Sequence, residues 1–247
     1  MGQMILLKMN LDKLLLISGN DIPFPKAQAI IHQPRVKEIA YMGEKNFHLG
    51  SHLITFDKKM LSDKDKIGLE DQSNFHIFMT VMNDFSGNTH RNEALMVLTL
   101  LFPQYEIKID KDKILLQSEN FSSTLNEDNF YLFQDILNQI FCFESSSDDY
   151  DPADDLAKKV ADKIKKGKER KAKQKEGQVV KFDIYKKFAT TLSIGMNIDI
   201  NTILDYTIYQ LSESYNKYIE KVNFDTYIKA KLAGAQDLEE VKNWMED

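Results

Sequence analysis

The hydrophobic residues in the first 145 positions recur mostly at helical spacing. This spacing predicts four helices, with apolar faces in residues 36–47, 75–82, 95–101 and 130–140. Pro34 stands where the first helix can begin, although Gly43 weakens that prediction. Asn88 or Thr89 can cap the third helix, which extends to Pro103.

Between the third and fourth predicted helices, apolar and polar residues alternate as they do in β-strands. The sequence YEIKIDKDKILLQ, residues 105–117, alternates apolar and polar side chains on both sides of a polar tip at residues 110–112. This alternation around a polar turn predicts a β-hairpin. We therefore predict a mixed α+β domain for residues 1–145.

The spacing in residues 179–247 is helical throughout. Its apolar positions step by 4, 3, 4, 3 and 4 residues along one seam, formed by Leu204, Ile208, Leu211, Tyr215, Tyr218 and Val222. This heptad-like pattern predicts one long helix, capped by Asp199 or Asn201. We predict a shorter helix on either side of it, one ending at Gly195 and one running from Phe224 to a stop at Gly234.

A last short helix is predicted from Asp237, with Glu240 three residues later as in a capping box. It would present Leu238, Val241 and Trp244 on one side and fold back over the seam. Trp244 is the only tryptophan of the chain, and its burial would give Trp244→Ala a cost of ~3 to 5 kcal/mol. Residues 179–247 are thus predicted to form a small helical bundle.

The composition changes abruptly in residues 146–178. A stretch rich in Ser and Asp leads to Pro152, the last proline, and then to a run rich in Lys and Arg. A proline at the start of a helix, acids in its first turn and cations at its far end match the helix dipole. We predict a charged linker or solvated helix here, and an α+β, mainly α fold for the whole chain.

The overall composition is that of an ordinary folded protein. The 247 residues carry a formal net charge of -6, which is too small to indicate acidic or basic partners, and 43% of them are hydrophobic. A single cysteine excludes an intramolecular disulfide. The longest strongly apolar stretch, residues 95–102, is far shorter than the ~20 residues that span a bilayer, so we expect an intracellular protein without a membrane span.

One group of residues has the types needed to bind a metal. His48 and His52 are four residues apart, with Glu44 before them. The zinc-protease signature needs a glutamate directly after the first histidine, where this sequence has Leu49, and Gly50 disfavours a rigid helix. The sequence also has no Gly-rich phosphate loop and no nucleophile elbow. We therefore assign no metal, cofactor-binding or catalytic residue and expect a protein that is not an enzyme.

A basic patch is a second candidate site. Its members lie in the charged linker and are Lys158, Lys159, Lys165, Lys166, Lys168, Arg170 and Lys171. Such a run could contact nucleic-acid phosphates or an acidic protein surface. It has no interleaved aromatic residues for base stacking, and neighbouring acids partly neutralise it. A solvated linker helix is the preferred interpretation.

Aromatic residues of the helical part form a third candidate site. These residues are Tyr206, Tyr209, Tyr215, Tyr218 and Trp244. A bundle core is one explanation for them, and aromatic side chains are also enriched in protein interfaces. We keep them as candidate residues for binding a partner.

The sequence NTILDYTIYQLSESYNKYIEKVNFDTYIKAKLAGAQDLEEVKNWMED, residues 201–247, resembles the C-terminal part of tail proteins from phages of Gram-positive hosts. The similar proteins are of the tail-assembly chaperone or baseplate-assembly kind. The resemblance implies a non-enzymatic role in virion morphogenesis, since such chaperones coat the tape-measure protein and deliver tail-tube subunits to it. It also implies phage tail or virion proteins as partners, and the host cytoplasm as the location during assembly.

Two alternatives stay open. One is a structural component of the virion, such as a baseplate, connector or capsid-associated protein. The other is a nucleic-acid-binding regulatory protein that uses the basic patch. The sequence also leaves open whether the chain forms a homo-oligomer.

Overall fold

The structure is a computed structural model that describes residues 10–60, 69, 71–87, 90–119, 121–142, 183–236 and 241–245. Helices dominate these residues, and two small antiparallel sheets accompany them. The predicted α+β, mainly α fold class is confirmed. None of the described helices has both the length and the apolarity that crossing a bilayer requires.

The described chain begins with a short helix and a β-hairpin. The helix, α1 (Lys13–Ser18), starts at Asp12, whose side chain accepts a hydrogen bond from the backbone, and ends at Gly19 in the left-handed conformation with φ +71°. The strands β1 (Ile22–Phe24) and β2 (Ala29–Ile31) then pair in antiparallel fashion. Each strand buries its first and third residues, so even these short strands anchor the chain in the core.

A single helix was predicted from Pro34, and the structure has two helices there. These are α2 (Val36–Met42) and α3 (Glu44–Ile54), separated by Gly43. Gly43 has φ +89°, a conformation that residues with a side chain rarely adopt, and this is why the helix breaks at that residue.

Gly50 does not weaken α3, contrary to the prediction. The helix is continuous through Gly50 and packs closely on α5 (Arg91–Leu101) at that point. A Cβ at residue 50 would overlap the carbonyl oxygen of Glu93 and lie 2.8 Å from a methyl group of Val97. The glycine therefore permits the close approach of two helices.

The other helices of the first part follow the prediction. They are α4 (Asn74–Met82), α5 and α6 (Glu127–Ile140). The predicted apolar faces of α4 and α6 are buried and consist of Phe75, Phe78, Met79, Met82, Phe130, Phe133, Ile136 and Ile140. The residue before α5 is His90, which provides no side-chain cap, and the predicted caps at residues 88 and 89 lie outside the described residues.

The predicted hairpin belongs to a three-stranded antiparallel sheet. The hairpin strands are β3 (Glu106–Asp110) and β4 (Lys113–Ser118), and a third strand, β5 (Phe121–Leu125), pairs with β4. Sequence analysis missed β5 because its sequence, FSSTL, is short and mostly polar. The hydroxyl of Ser123 in β5 donates a hydrogen bond to the carbonyl oxygen of Ala27 and so connects this sheet to the first hairpin.

The C-terminal part differs from the prediction in where its helices break. It contains α7 (Ile184–Met196), α8 (Ile200–Leu204) and α9 (Ile208–Leu232). Asp199 caps the short α8, whereas Thr207 starts α9 in a capping box with Gln210.

The predicted seam therefore crosses a break between α8 and α9, since Leu204 ends one helix and Ile208 begins the next. The separate helix predicted from Phe224 is the second half of α9. The chain leaves the helical conformation after Leu232 and passes through Gly234, the predicted stop, at φ +86°.

The last predicted helix is not present where the structure describes the chain. Residues 241–245 have no helical conformation, and residues 237–240 lie outside the described part. Trp244 is half-buried in this irregular segment.

The described residues on both sides of the predicted linker share one hydrophobic core. The buried side chains of α7 to α9 that join it are Tyr185, Ala189, Leu192, Ile203, Ile208 and Leu211. The backbone connects the two parts as well, because the Val36 amide donates to the Tyr206 carbonyl (2.9 Å) and the Ile208 amide donates to the Pro34 carbonyl (3.2 Å). Neighbours in this core can thus be far apart in the chain.

Candidate protein-binding surface

The four candidate tyrosines are half-buried and pack against the core. Tyr206 lies just before α9, and Tyr209, Tyr215 and Tyr218 lie on α9 itself. All four are partly buried and contact the hydrophobic core. Their role in binding a partner stays a prediction.

Two aromatic rings hold α7 against α9. The rings of Phe188 and Tyr215 are stacked with centroids 3.9 Å apart and planes 12° apart. Tyr218, less than one turn further along α9, reaches α7 at Gly195. A side chain at residue 195 would overlap the phenol group of Tyr218, so the glycine makes room for this contact.

Apolar side chains around this contact are exposed in the described structure. Ile194 and Met196, which flank Gly195, are 85% and 49% exposed, and Val222 is 37% exposed. Val222 follows Tyr218 by four residues and so lies on the same face of α9. Ile194 and Met196 are two positions apart and so point to different sides of α7, next to its contact with α9. We call Ile194, Met196 and Val222 the apolar tip.

Beyond Tyr215, α9 carries ion pairs on its surface and two further exposed apolar residues. Ion pairs one turn apart connect Lys217 with Glu220 (3.1 Å) and Lys221 with Asp225 (2.7 Å) on the helix surface. Ile228 is 37% exposed and Leu232 is 83% exposed. Since residues 222 and 228 are six positions apart, their side chains point about 120° away from each other around the helix axis. Ile228 therefore lies outside the apolar tip.

A polar contact joins α7 to α3 at the other end of α7. The Tyr185 amide donates a hydrogen bond of 2.9 Å to the Glu44 carboxylate, and the same carboxylate oxygen is 3.7 Å from Nε2 of His48. The rings of His48 and Tyr185 are parallel, with centroids 5.4 Å apart. Burial raises the pKa of the Tyr185 hydroxyl far above its ordinary value, and the nearby Glu44 carboxylate adds to this. Tyr185 therefore remains a neutral, mainly structural group.

The two histidines of α3 are close to each other. Their rings are stacked with centroids 6.1 Å apart. Burial lowers the pKa of His48, although Glu44 partly opposes this, and burial also lowers the pKa of His52. In the described part of the chain, no three His, Cys, Asp or Glu side chains are arranged to hold a metal ion.

The remaining candidate residues are placed as follows. All members of the basic patch lie outside the described residues. Trp244 lies in the irregular segment after α9 and is half-buried. Sequence analysis did not single out Ile194 or Met196 as candidate residues, although their apolar side chains on both sides of Gly195 were a signal that could have pointed to them.

A family model described as the YomV second domain matches residues 186–247. The matched residues include most of α7, all of α8 and α9 and the whole apolar tip. No curated protein and no solved structure showed a significant match to the chain. The C-terminal part of the chain is thus similar to a phage-type domain, that of YomV from Bacillus phage SPBc2.

Proposed function

We propose that this chain is a non-enzymatic phage morphogenesis protein that acts as a tail-assembly chaperone and binds a helical partner at the apolar tip. The observation that carries the proposal is the exposure of three apolar side chains, Ile194, Met196 and Val222, around the packed contact between α7 and α9. Neighbouring exposed apolar side chains on a folded surface are typical of protein interaction sites. A partner helix would continue the packing that Tyr215 and Tyr218 begin.

The match to a phage-type domain supports the part of the proposal that makes this chain a phage protein. The matched residues contain the apolar tip, so the segment with the phage similarity and the surface with the exposed residues coincide. The resemblance of residues 201–247 to tail-assembly proteins supplies the more specific role. A structural component of the virion is the alternative in the same setting.

The test is co-expression of the chain with the tape-measure and tail-tube proteins of the same phage, followed by affinity purification. Val222→Asp places a charge in the apolar tip and should abolish a complex that the wild-type chain forms. Ile228→Asp is the matched control, because residue 228 is equally exposed on the same helix but lies outside the tip. Far-UV circular dichroism checks that both variants keep their helices.

A wild-type chain that binds neither protein would contradict the chaperone proposal. Equal loss of binding in both variants would contradict the apolar tip as the site. Mass spectrometry of purified virions separates the two phage roles, since a chaperone is absent from the particle and a structural component is present in stoichiometric copies.

A further inference from the structure

A second apolar feature lies at the other end of α7. A pocket of about 260 Å³ opens between α2, α3, α7 and α8. Its walls include Val36 and Ile39 of α2, Ala189 of α7 and Leu204 of α8. The first three of these are almost completely buried, so the pocket has a preformed apolar floor.

Two charged groups line this pocket. Glu44 presents a carboxylate, one oxygen of which accepts the Tyr185 amide at 2.9 Å. Lys186 presents an exposed ammonium group from α7. The described residues include no ion pair between these two side chains, and Glu44 lies 3.7 Å from His48 instead. Each therefore has remaining capacity for a charged group from a ligand.

The size of the pocket indicates what kind of group it accepts. Small-molecule sites usually have ~300 to 1,000 Å³, so this pocket is at the low end for a complete ligand. It suits the anchor side chains that dominate protein interfaces, which fill well-packed pockets and are surrounded by weaker polar contacts.

The pocket and one residue of the apolar tip, Ile194, share one side of α7. Thr190 lines the pocket, and Ile194 is one turn further along the same helix. A helix that lies along this side of α7 can contact the pocket and Ile194 together. The pocket and Ile194 thus lie along one face of α7.

We propose that the pocket accepts an apolar anchor side chain from a helical partner, whose neighbouring residues are a cation that pairs with Glu44 and an acid that pairs with Lys186. The proposal rests on the proposed function only in that the ligand is a protein helix. Glu44 and Lys186 have opposite charges, so only one direction of the partner helix places its cation at Glu44 and its acid at Lys186. The reversed helix would place like charges together.

The experiment is a selection from a library of helical peptides against the purified full-length chain. Peptides that bind should contain a Leu, Met, Ile or Phe with a Lys or Arg within one turn on one side and an Asp or Glu on the other. The affinity of an enriched peptide is then measured by fluorescence polarisation for the wild-type chain and its variants.

Thr190→Phe fills the pocket from an exposed position and should weaken binding by about tenfold or more. Lys187→Phe is the matched control, because residue 187 is exposed on the same helix but does not line the pocket. Glu44→Gln keeps an acceptor for the Tyr185 amide while removing the charge, and should weaken binding by about threefold at low salt.

Two results would overturn the inference. One is a selection that enriches no peptide, and the other is an enriched peptide that binds the wild-type chain and Thr190→Phe equally. Neither result depends on the tail proteins or on Val222. The chaperone proposal can therefore fail while this inference holds, and the reverse is also true.

Discussion

The phenol group of Tyr218 on α9 occupies the space beside Gly195 on α7 that a Cβ atom would need. Alanine usually stabilises a helix relative to glycine by ~0.5 to 1 kcal/mol. At residue 195 it would push the tyrosine away from α7 and disturb the seam. We expect Gly195→Ala to lower the free energy of unfolding by ~1 to 3 kcal/mol, measured by urea denaturation.

A double-mutant cycle isolates the contact between these two residues. In a Tyr218→Ala background the obstruction is gone, so Gly195→Ala should become stabilising by ~0.5 to 1 kcal/mol. If the substitution destabilises both backgrounds equally, Tyr218 is not the cause.

Gly50 should respond differently because it faces backbone. A Cβ at residue 50 would lie 2.6 Å from the carbonyl carbon of Glu93, and the backbone of α5 cannot rotate away as a side chain can. We expect Gly50→Ala to cost ~1 to 3 kcal/mol of unfolding free energy. Removing the nearby methyl groups with Val97→Ala should not rescue the variant, since the carbonyl remains in place. Rescue by Val97→Ala would show that the side chain, rather than the backbone, causes the strain.

These two glycines show where sequence patterns are informative and where they are not. Periodicity predicted α4, α6 and the β3–β4 hairpin, since each carries its apolar residues on one face. It failed at Gly50, because the pattern along α3 contains no information about α5. It also placed a false break before Phe224, where the apolar face of α9 rotates around the helix while the helix itself continues.

The candidate surface was only partly predictable for the same reason. Sequence analysis identified Tyr215, Tyr218 and Val222 from their spacing on one helix. It did not indicate that Ile194 lies near them, or that Val36, Glu44 and Ala189 line one pocket. Those relationships join residues that are far apart in the chain, and only the packing of α2, α3 and α7 brings them together.

The two histidines of α3 should make the protein less stable in mild acid. Both have a pKa below the ordinary value of 6.5, so the folded state binds protons less readily than the unfolded state. Their contribution to stability is present above pH 6.5 and is lost as the pH falls through their folded-state pKa values. Urea denaturation at pH 7.5, 6.5 and 5.5 is therefore expected to show a free energy of unfolding that decreases as the pH falls.

A variant without one of these histidines provides the check. His52→Gln should reduce the loss of stability between pH 7.5 and 5.5 relative to the wild-type chain. His76→Gln, at an exposed position of α4, is the control for replacing a histidine. Identical pH profiles for the wild-type chain and His52→Gln would show that protonation of His52 does not contribute.

Trp244 should contribute less to stability than the predicted final helix would require. A fully buried aromatic residue costs ~3 to 5 kcal/mol when replaced by alanine, whereas Trp244 is half-buried in an irregular segment. We expect Trp244→Ala to lower the free energy of unfolding by ~1 to 2 kcal/mol, measured by far-UV circular dichroism because the variant has no tryptophan fluorescence. Trp244→Phe, which keeps an aromatic ring, should lose less.

A loss of ~3 kcal/mol or more for Trp244→Ala would instead indicate that Trp244 is fully buried, as the predicted final helix requires. Unchanged stability with loss of the co-purified tail protein would instead make Trp244 a binding residue, because only the bound state would then depend on its ring.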